Sequence, residues 1–171
     1  MIEQADLRAN DDDAAYRRLV ERLRRQGAEI GELTRELDDE ALSRRTVPDK
    51  WSLKELVCHL WRLQRLFEDR IETMLTKDNP VLLPYTSGVD PDFAKLVAHD
   101  ATETRTAFLV EREDFSSRVD RLEAAQWLRT GQHPGYARFD VRFQVEYLVH
   151  HEAHHIYQLF QRRLQLDTLL R

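Results

Sequence analysis

The sequence predicts an all-α fold, a four-helix bundle, from three observations. Only five Gly and five Pro occur in 171 residues of which 42% are apolar, too few turn formers for an all-β chain. Apolar residues recur at helical spacing in four long segments, and helix-start signals precede them. Four amphipathic helices with shorter connections bury their stripes most simply as a bundle, so residues 1–171 read as a single domain.

Residues 1–11 read as a polar, loose start. Asp11, Asp12 and Asp13 supply a cap and favourable charge for the first helix, along which Leu19, Leu23, Ile30 and Leu33 recur to about Leu37. Asp38-Asp39 then introduces a short turn over Glu40 to Arg44, broken by Val47-Pro48-Asp49. Ser52-Leu53-Lys54-Glu55 is a capping box that opens the second helix. Its stripe runs from Leu53 through Leu60, Leu63 and Phe67 to Leu75, and Asp78-Asn79-Pro80 ends it. A loop to Val89 follows, and Asp90-Pro91 starts a third helix expected to continue to about Glu113. Residues 116–135 are less regular, with a short helix around Glu123 to Leu128. Asp140 caps the fourth helix, which runs to about Leu164.

Charge and cysteine usage narrow the function. Charged residues make up 33% of the chain with a net charge of −5, and the signs are mixed instead of forming a basic face. The chain is therefore expected to bind neither nucleic acid nor an anionic membrane. With one cysteine, Cys58, no internal disulfide is available. The acidic N-terminus lacks the layout of a signal peptide, so a cytoplasmic protein is expected.

Chemistry concentrates in His150-His151-Glu152-Ala153-His154-His155, where four of the seven histidines fall. Histidines four apart share one helix face and at that spacing can hold one divalent metal between them. At ~100° per residue, His151 and His155 flank the apolar sector formed by Val145, Leu148, Val149 and Ile156, whereas His150 and His154 point toward solvent. His151 and His155 are thus the preferred pair. His59, on the corresponding flank of the second helix, is the leading third ligand, and three histidines leave positions open for water or substrate.

His151-Glu152-x-x-His155 also spells a zinc-protease pattern, but no His or Glu follows His155 to supply the third ligand downstream. Glu152 falls near the centre of the apolar sector, either as a buried carboxylate orienting a ligand histidine, the favoured role, or as an acid acting at the site. His133 lies in the loop before the fourth helix and either approaches the metal or stabilises the loop. Cys58 sits about 100° around the helix from His59 and reads as packing. Trp51, Trp61 and Trp127 read as core or interface anchors.

Three stretches carry a family resemblance. Pro48 to Leu60 resembles the K-W-S-x-x-E-x-x-x-H-L opening of the second helix in the DinB-like superfamily, within it the branch of YfiT-type bacillithiol transferases. Trp127-Leu128-Arg129-Thr130-Gly131-Gln132-His133 is similar to that family's W-x-R-x-G-x-H loop, and His151 to Gln158 to its H-x-x-x-H-x-x-Q metal helix. The resemblance implies a four-helix bundle, often dimeric, that binds one divalent metal, zinc or nickel, through His59, His151 and His155. It further implies transfer of a low-molecular-weight thiol, such as bacillithiol or mycothiol, to an electrophile. Arg129 is then a candidate to bind a carboxylate of the thiol or substrate, the alternative being an ion pair that pins its loop. The competing readings are a metal-dependent hydrolase, with Glu152 or His133 moving the proton, and a non-catalytic stress protein stabilised by its metal.

Overall fold

A computed structural model describes residues 2–86 and 89–169, with side chains from residue 12 onward. Among the described residues seven α-helices form in the order α1 (Ile2–Leu33), α2 (Asp39–Ser43), α3 (Leu53–Thr76), α4 (Pro91–Ala98), α5 (Ala101–Asp120), α6 (Ala124–Trp127) and α7 (Val141–Leu169). Among the described residues the only β pairing is isolated bridges, as at Val81 with Gln132. The four-helix bundle is built from α1, α3, α5 and α7. Helix α1 packs on α5 and α7, and so does α3; the first two long helices therefore occupy opposite corners.

Two helix starts differ from the sequence reading, and α7 runs on to Leu169, past the expected end near Leu164. Helix α1 already runs from Ile2, so the three aspartates lie inside it and residues 2–10 are helical; Ala5, Leu7, Arg8 and Ala9 are strong helix formers that outweigh the cap signal. The expected third helix is two helices. The Asp100 carboxylate accepts from the backbone N–H groups of Thr102 and Glu103, both at about 3 Å, and so starts α5 afresh, leaving His99 exposed at the end of α4. The other start signals act as read. Ser52 accepts from Glu55 N–H at 3.2 Å while the Glu55 carboxylate accepts from Ser52 N–H at 2.8 Å, and Asp140 accepts from Phe143 N–H at 2.7 Å.

Two apolar clusters fill the bundle. One contains Leu23, Leu63, Phe115 and Val149, the other Ile30, Leu60, Phe108 and Ile156. Gln26, Gln64, Arg112 and Glu152, one from each long helix, are among the buried polar side chains and form a polar layer. The layer is cross-linked. Arg112 Nε donates to Gln64 at 2.6 Å, and Gln26 Nε2 donates to the Val149 carbonyl at 2.8 Å. Buried polar groups are tolerable when paired in this way.

The connection from α6 to α7 is tied to the chain beyond α3. Leu82 N–H donates to the Gln132 carbonyl and Gln132 N–H to the Pro80 carbonyl, each at 2.8 Å. Residues 130–139 are thereby held over one flank of the α3–α7 seam.

Candidate metal centre

The capping box of α3 sets that helix's rotation, and His59 follows one turn later, buried at the α3–α7 seam. Helix α7 brings His151 and His155 from consecutive turns to the same place. His151 Nε2 lies 3.2 Å from His59 Nε2 and 3.0 Å from His155 Nε2. A tetrahedral ion with bonds of about 2.0–2.1 Å would separate its nitrogen ligands by roughly 3.3 Å. The three nitrogens thus converge as a single divalent ion requires, and the residues fit the group.

Their protonation suits the same role. Burial, followed by the two neighbouring imidazoles, lowers His59 to about 3. Burial and the neighbouring histidines lower His151 to about 4. His155 is lowered by burial, with Gln158 acting in the opposite direction. All three are neutral at neutral pH, the ligating form. His155 Nδ1 donates to the Gln158 side-chain carbonyl at 2.9 Å, which leaves its Nε2 lone pair facing the cluster. Among the described residues His59 Nδ1 has no hydrogen-bond partner; its ring is held instead by Trp51, with centroids 4.8 Å apart. His150 and His154 are exposed, as the helical wheel requires.

A cavity of about 450 Å³ opens beside the cluster, its wall including His59, His151, His133, Arg70, Tyr136 and Tyr147. Phe67, Phe139 and Phe143 add to an aromatic lining. His133 therefore shares the cavity with two of the three converging histidines and also stabilises its loop, since its Nδ1 accepts from Gly135 N–H at 3.1 Å. Burial and the Arg70 charge lower its pKa.

Glu152 stands elsewhere than its favoured reading placed it, and Arg129 takes the loop-pinning alternative, through carbonyl groups instead of an ion pair. Glu152 orients no ligand histidine: its two oxygens accept from Arg112 at 2.6 and 2.7 Å, and the carboxylate is fully buried in the polar layer. A helix start-to-end pattern cannot show that a cation on α5 faces this position. Arg129 does not line the cavity. It donates to the carbonyls of Met74 at 2.9 Å and Lys77 at 2.5 Å, satisfying the end of α3 and pinning its loop. Cys58 is buried, and desolvation pushes its thiol up to about 12, so it is no nucleophile.

Sequence reasoning missed Trp51 as a neighbour of the cluster and Arg70 as a cavity residue. A signal for Arg70 existed: His59, Leu63, Leu66 and Arg70 follow at i, i+4, i+7 and i+11, one face of one helix.

Comparison with known proteins agrees with this architecture. The family model described as DinB superfamily matches residues 22–159. The uncharacterized protein YuaE of Bacillus subtilis (strain 168) is 24% identical over 140 residues, covering 72% of this chain and 83% of the relative. A Halalkalibacterium halodurans protein named "putative metal-dependent hydrolase" is 25% identical over 131 residues, covering 75% of each chain. Among solved structures, YfiT from Bacillus subtilis, described as "a probable metal-dependent hydrolase with an unusual four-helix bundle topology", superposes with a TM-score of 0.76 at 16% identity. The match covers 89% of this chain and 87% of that one.

Proposed function

Since the chain belongs to the DinB superfamily and its three converging imidazoles stand beside an aromatic cavity, we propose that it is a divalent-metal-dependent enzyme transferring a low-molecular-weight thiol to an electrophile. The observation that carries this reading is the convergence of His59, His151 and His155 Nε2 where His59 and His151 also form cavity wall. Held by these three imidazoles, a zinc or nickel ion would supply Lewis acidity that favours an ionised nucleophile near neutral pH. The chain's own residues do the rest. Gln158 fixes the His155 tautomer, Trp51 holds the His59 ring, and the aromatic wall binds the apolar part of a substrate while excluding water.

No Asp or Glu is among the described residues lining the cavity. That suits a nucleophile that brings its own ionisable proton. In the transfer a sulfur–carbon bond forms, the thiol proton passes to solvent or to His133, and the electrophile loses its leaving group or opens its epoxide ring.

The second reading, hydrolysis, is supported by His133, a neutral imidazole in the same cavity able to take a proton from water, and by the names of two relatives. A homodimer belongs to the proposal too, supported by the exposed apolar stripe Tyr157, Phe160 and Leu164 on α7; light scattering of the purified protein checks it.

Elemental analysis tests the site first. The metal should be lost in His59→Ala, His151→Ala and His155→Ala and kept in His150→Ala and His154→Ala. The metal-loaded protein is then given an alkyl halide or an epoxide with and without thiol. Turnover that requires the thiol supports transfer, and turnover in water alone supports the hydrolase.

A further inference from the structure

Among the described residues Arg70 is a guanidinium without a counter-ion. The residue is 9% exposed and lies in the wall of the cavity that contains His59 and His151. Among the described residues its hydrogen bond is from Nη2 to the Leu83 carbonyl, at 2.6 Å, and no carboxylate pairs with it. The rings of Phe67 and Phe139 lie 5.7 and 5.8 Å from its charge, and the uncharged phenols of Tyr136 and Tyr147 line the same cavity. Its neighbours in the bundle differ. Arg62 pairs with Asp90 at 2.8 Å, Arg65 with Glu111 at 2.6 Å and Arg112 with Glu152 at 2.6 Å.

A buried, unpaired cation is costly to keep, and the cost is offset when an anion enters beside it. One guanidinium among phenols and phenyl rings matches a single negative charge with two acceptor oxygens. A phosphate monoester would call for more donors.

The helix sets the shape of the ligand. His59 and Arg70 share one face of α3, eleven positions and so about 16 Å apart along the axis. Across the seam α7 lays Phe143, Tyr147 and His151 along the same cavity, and the Tyr147 and His151 rings stack with centroids 6.0 Å apart.

We propose that this cavity binds an elongated organic carboxylate, with the carboxylate on Arg70, the body between the aromatic side chains and the far end at the three imidazoles. The inference rests on the proposed function only in taking the cavity for the substrate site.

Binding, not turnover, tests it. Calorimetry compares ω-phenylhexanoate, its neutral primary amide and ω-phenylhexyl phosphate, on metal-loaded and on chelator-treated protein. The carboxylate should bind about tenfold or more tighter than the amide, since the amide offers the guanidinium one neutral acceptor oxygen in place of two charged ones. Arg70→Met should abolish that preference and Arg70→Lys should keep part of it. Equal binding of acid and amide, binding of neither, tighter binding of the phosphate, or a preference that survives in Arg70→Met would each overturn the assignment. Should Arg70→Met not fold, the acid-to-amide ratio of the wild type decides alone. A carboxylate preference in a protein that holds no metal and turns nothing over would sink the proposed function and leave this inference standing.

Discussion

Arg112 grips Glu152 through two parallel hydrogen bonds of 2.7 and 2.6 Å in the middle of the bundle, with both side chains almost wholly shielded from water. Removing one member leaves the other as an uncompensated buried charge, whereas removing both leaves an apolar core of similar volume. Glu152→Gln, which keeps the shape, should therefore destabilise the fold by about 3–5 kcal/mol. The double change of Glu152 and Arg112 to Met should recover part of that loss, the remainder reflecting the buried Gln64 Oε1, which loses its Arg112 donor. Urea unfolding of the three proteins checks the cycle, and folded Glu152→Gln should retain its metal because its carboxylate hydrogen-bonds to none of the three histidines.

The same layer explains Gly27. A Cβ at this position would stand 2.7 Å from Arg112 Cγ, and Arg112 cannot retreat without releasing Gln64 and Glu152. Gly27→Ala adds about 1 kcal/mol of helix propensity but should cost about 1–3 kcal/mol in crowding. A lower melting temperature, in place of the rise an open helical site would give, is the expected result.

What could be read from the sequence follows from the range of the interactions involved. Ser52, Asp140, Asp38 and the apolar stripes act within one or two helical turns, so the helices and the flank carrying His151 and His155 were visible in one dimension. The identity of facing residues was not. Nothing near Glu152 in sequence announces Arg112, forty positions earlier, and nothing near Arg129 announces the open carbonyls at the end of α3. The buried Glu152 inside an H-E-x-x-H pattern looks like part of the site until the bundle's corners are known. Asp100 misled for a different reason: a cap residue in the middle of a periodic stretch is also a tolerable helix residue, and only its bonds to Thr102 and Glu103 show which role it plays.

Gln158 provides a gentler perturbation of the metal centre. It accepts from His155 Nδ1 at 2.9 Å and is only half-buried, so its loss empties little volume. Gln158→Ala should weaken metal binding about 10–100-fold with little change in the melting temperature of the metal-free protein. Competition with a chromogenic chelator measures the first quantity and calorimetry the second. An unchanged affinity would show that packing alone orients His155.

Acid should destabilise the metal-free protein. His59 and His151 are held at about 3 and about 4 against an ordinary value of 6.5, and His155 is lowered as well, in each case chiefly by burial. Above 6.5 both folded and unfolded chains carry these imidazoles neutral, and they add nothing to the pH dependence. Between 6.5 and about 4 the unfolded chain takes up protons that the folded chain excludes, so stability falls as pH falls. The loss levels off once the folded groups also protonate. Urea midpoints of chelator-treated protein should drop across this window, and His59→Phe, whose ring has apolar company in Trp51 and Phe93, should flatten the drop.

Cys58 stands beside His59 in sequence but turns into the core, where it is fully buried and its thiol is pushed up to about 12. Reactivity follows the thiolate, so the native protein should react with an aromatic disulfide reagent only after urea is added. Cys58→Ala removes a small packing group and should cost about 1 kcal/mol or somewhat more, leaving metal content and the proposed thiol-dependent turnover unchanged from wild type. Rapid labelling of the folded protein, or loss of turnover in Cys58→Ala with metal still bound, would instead place a protein sulfur in the reaction and remove the need for an external thiol.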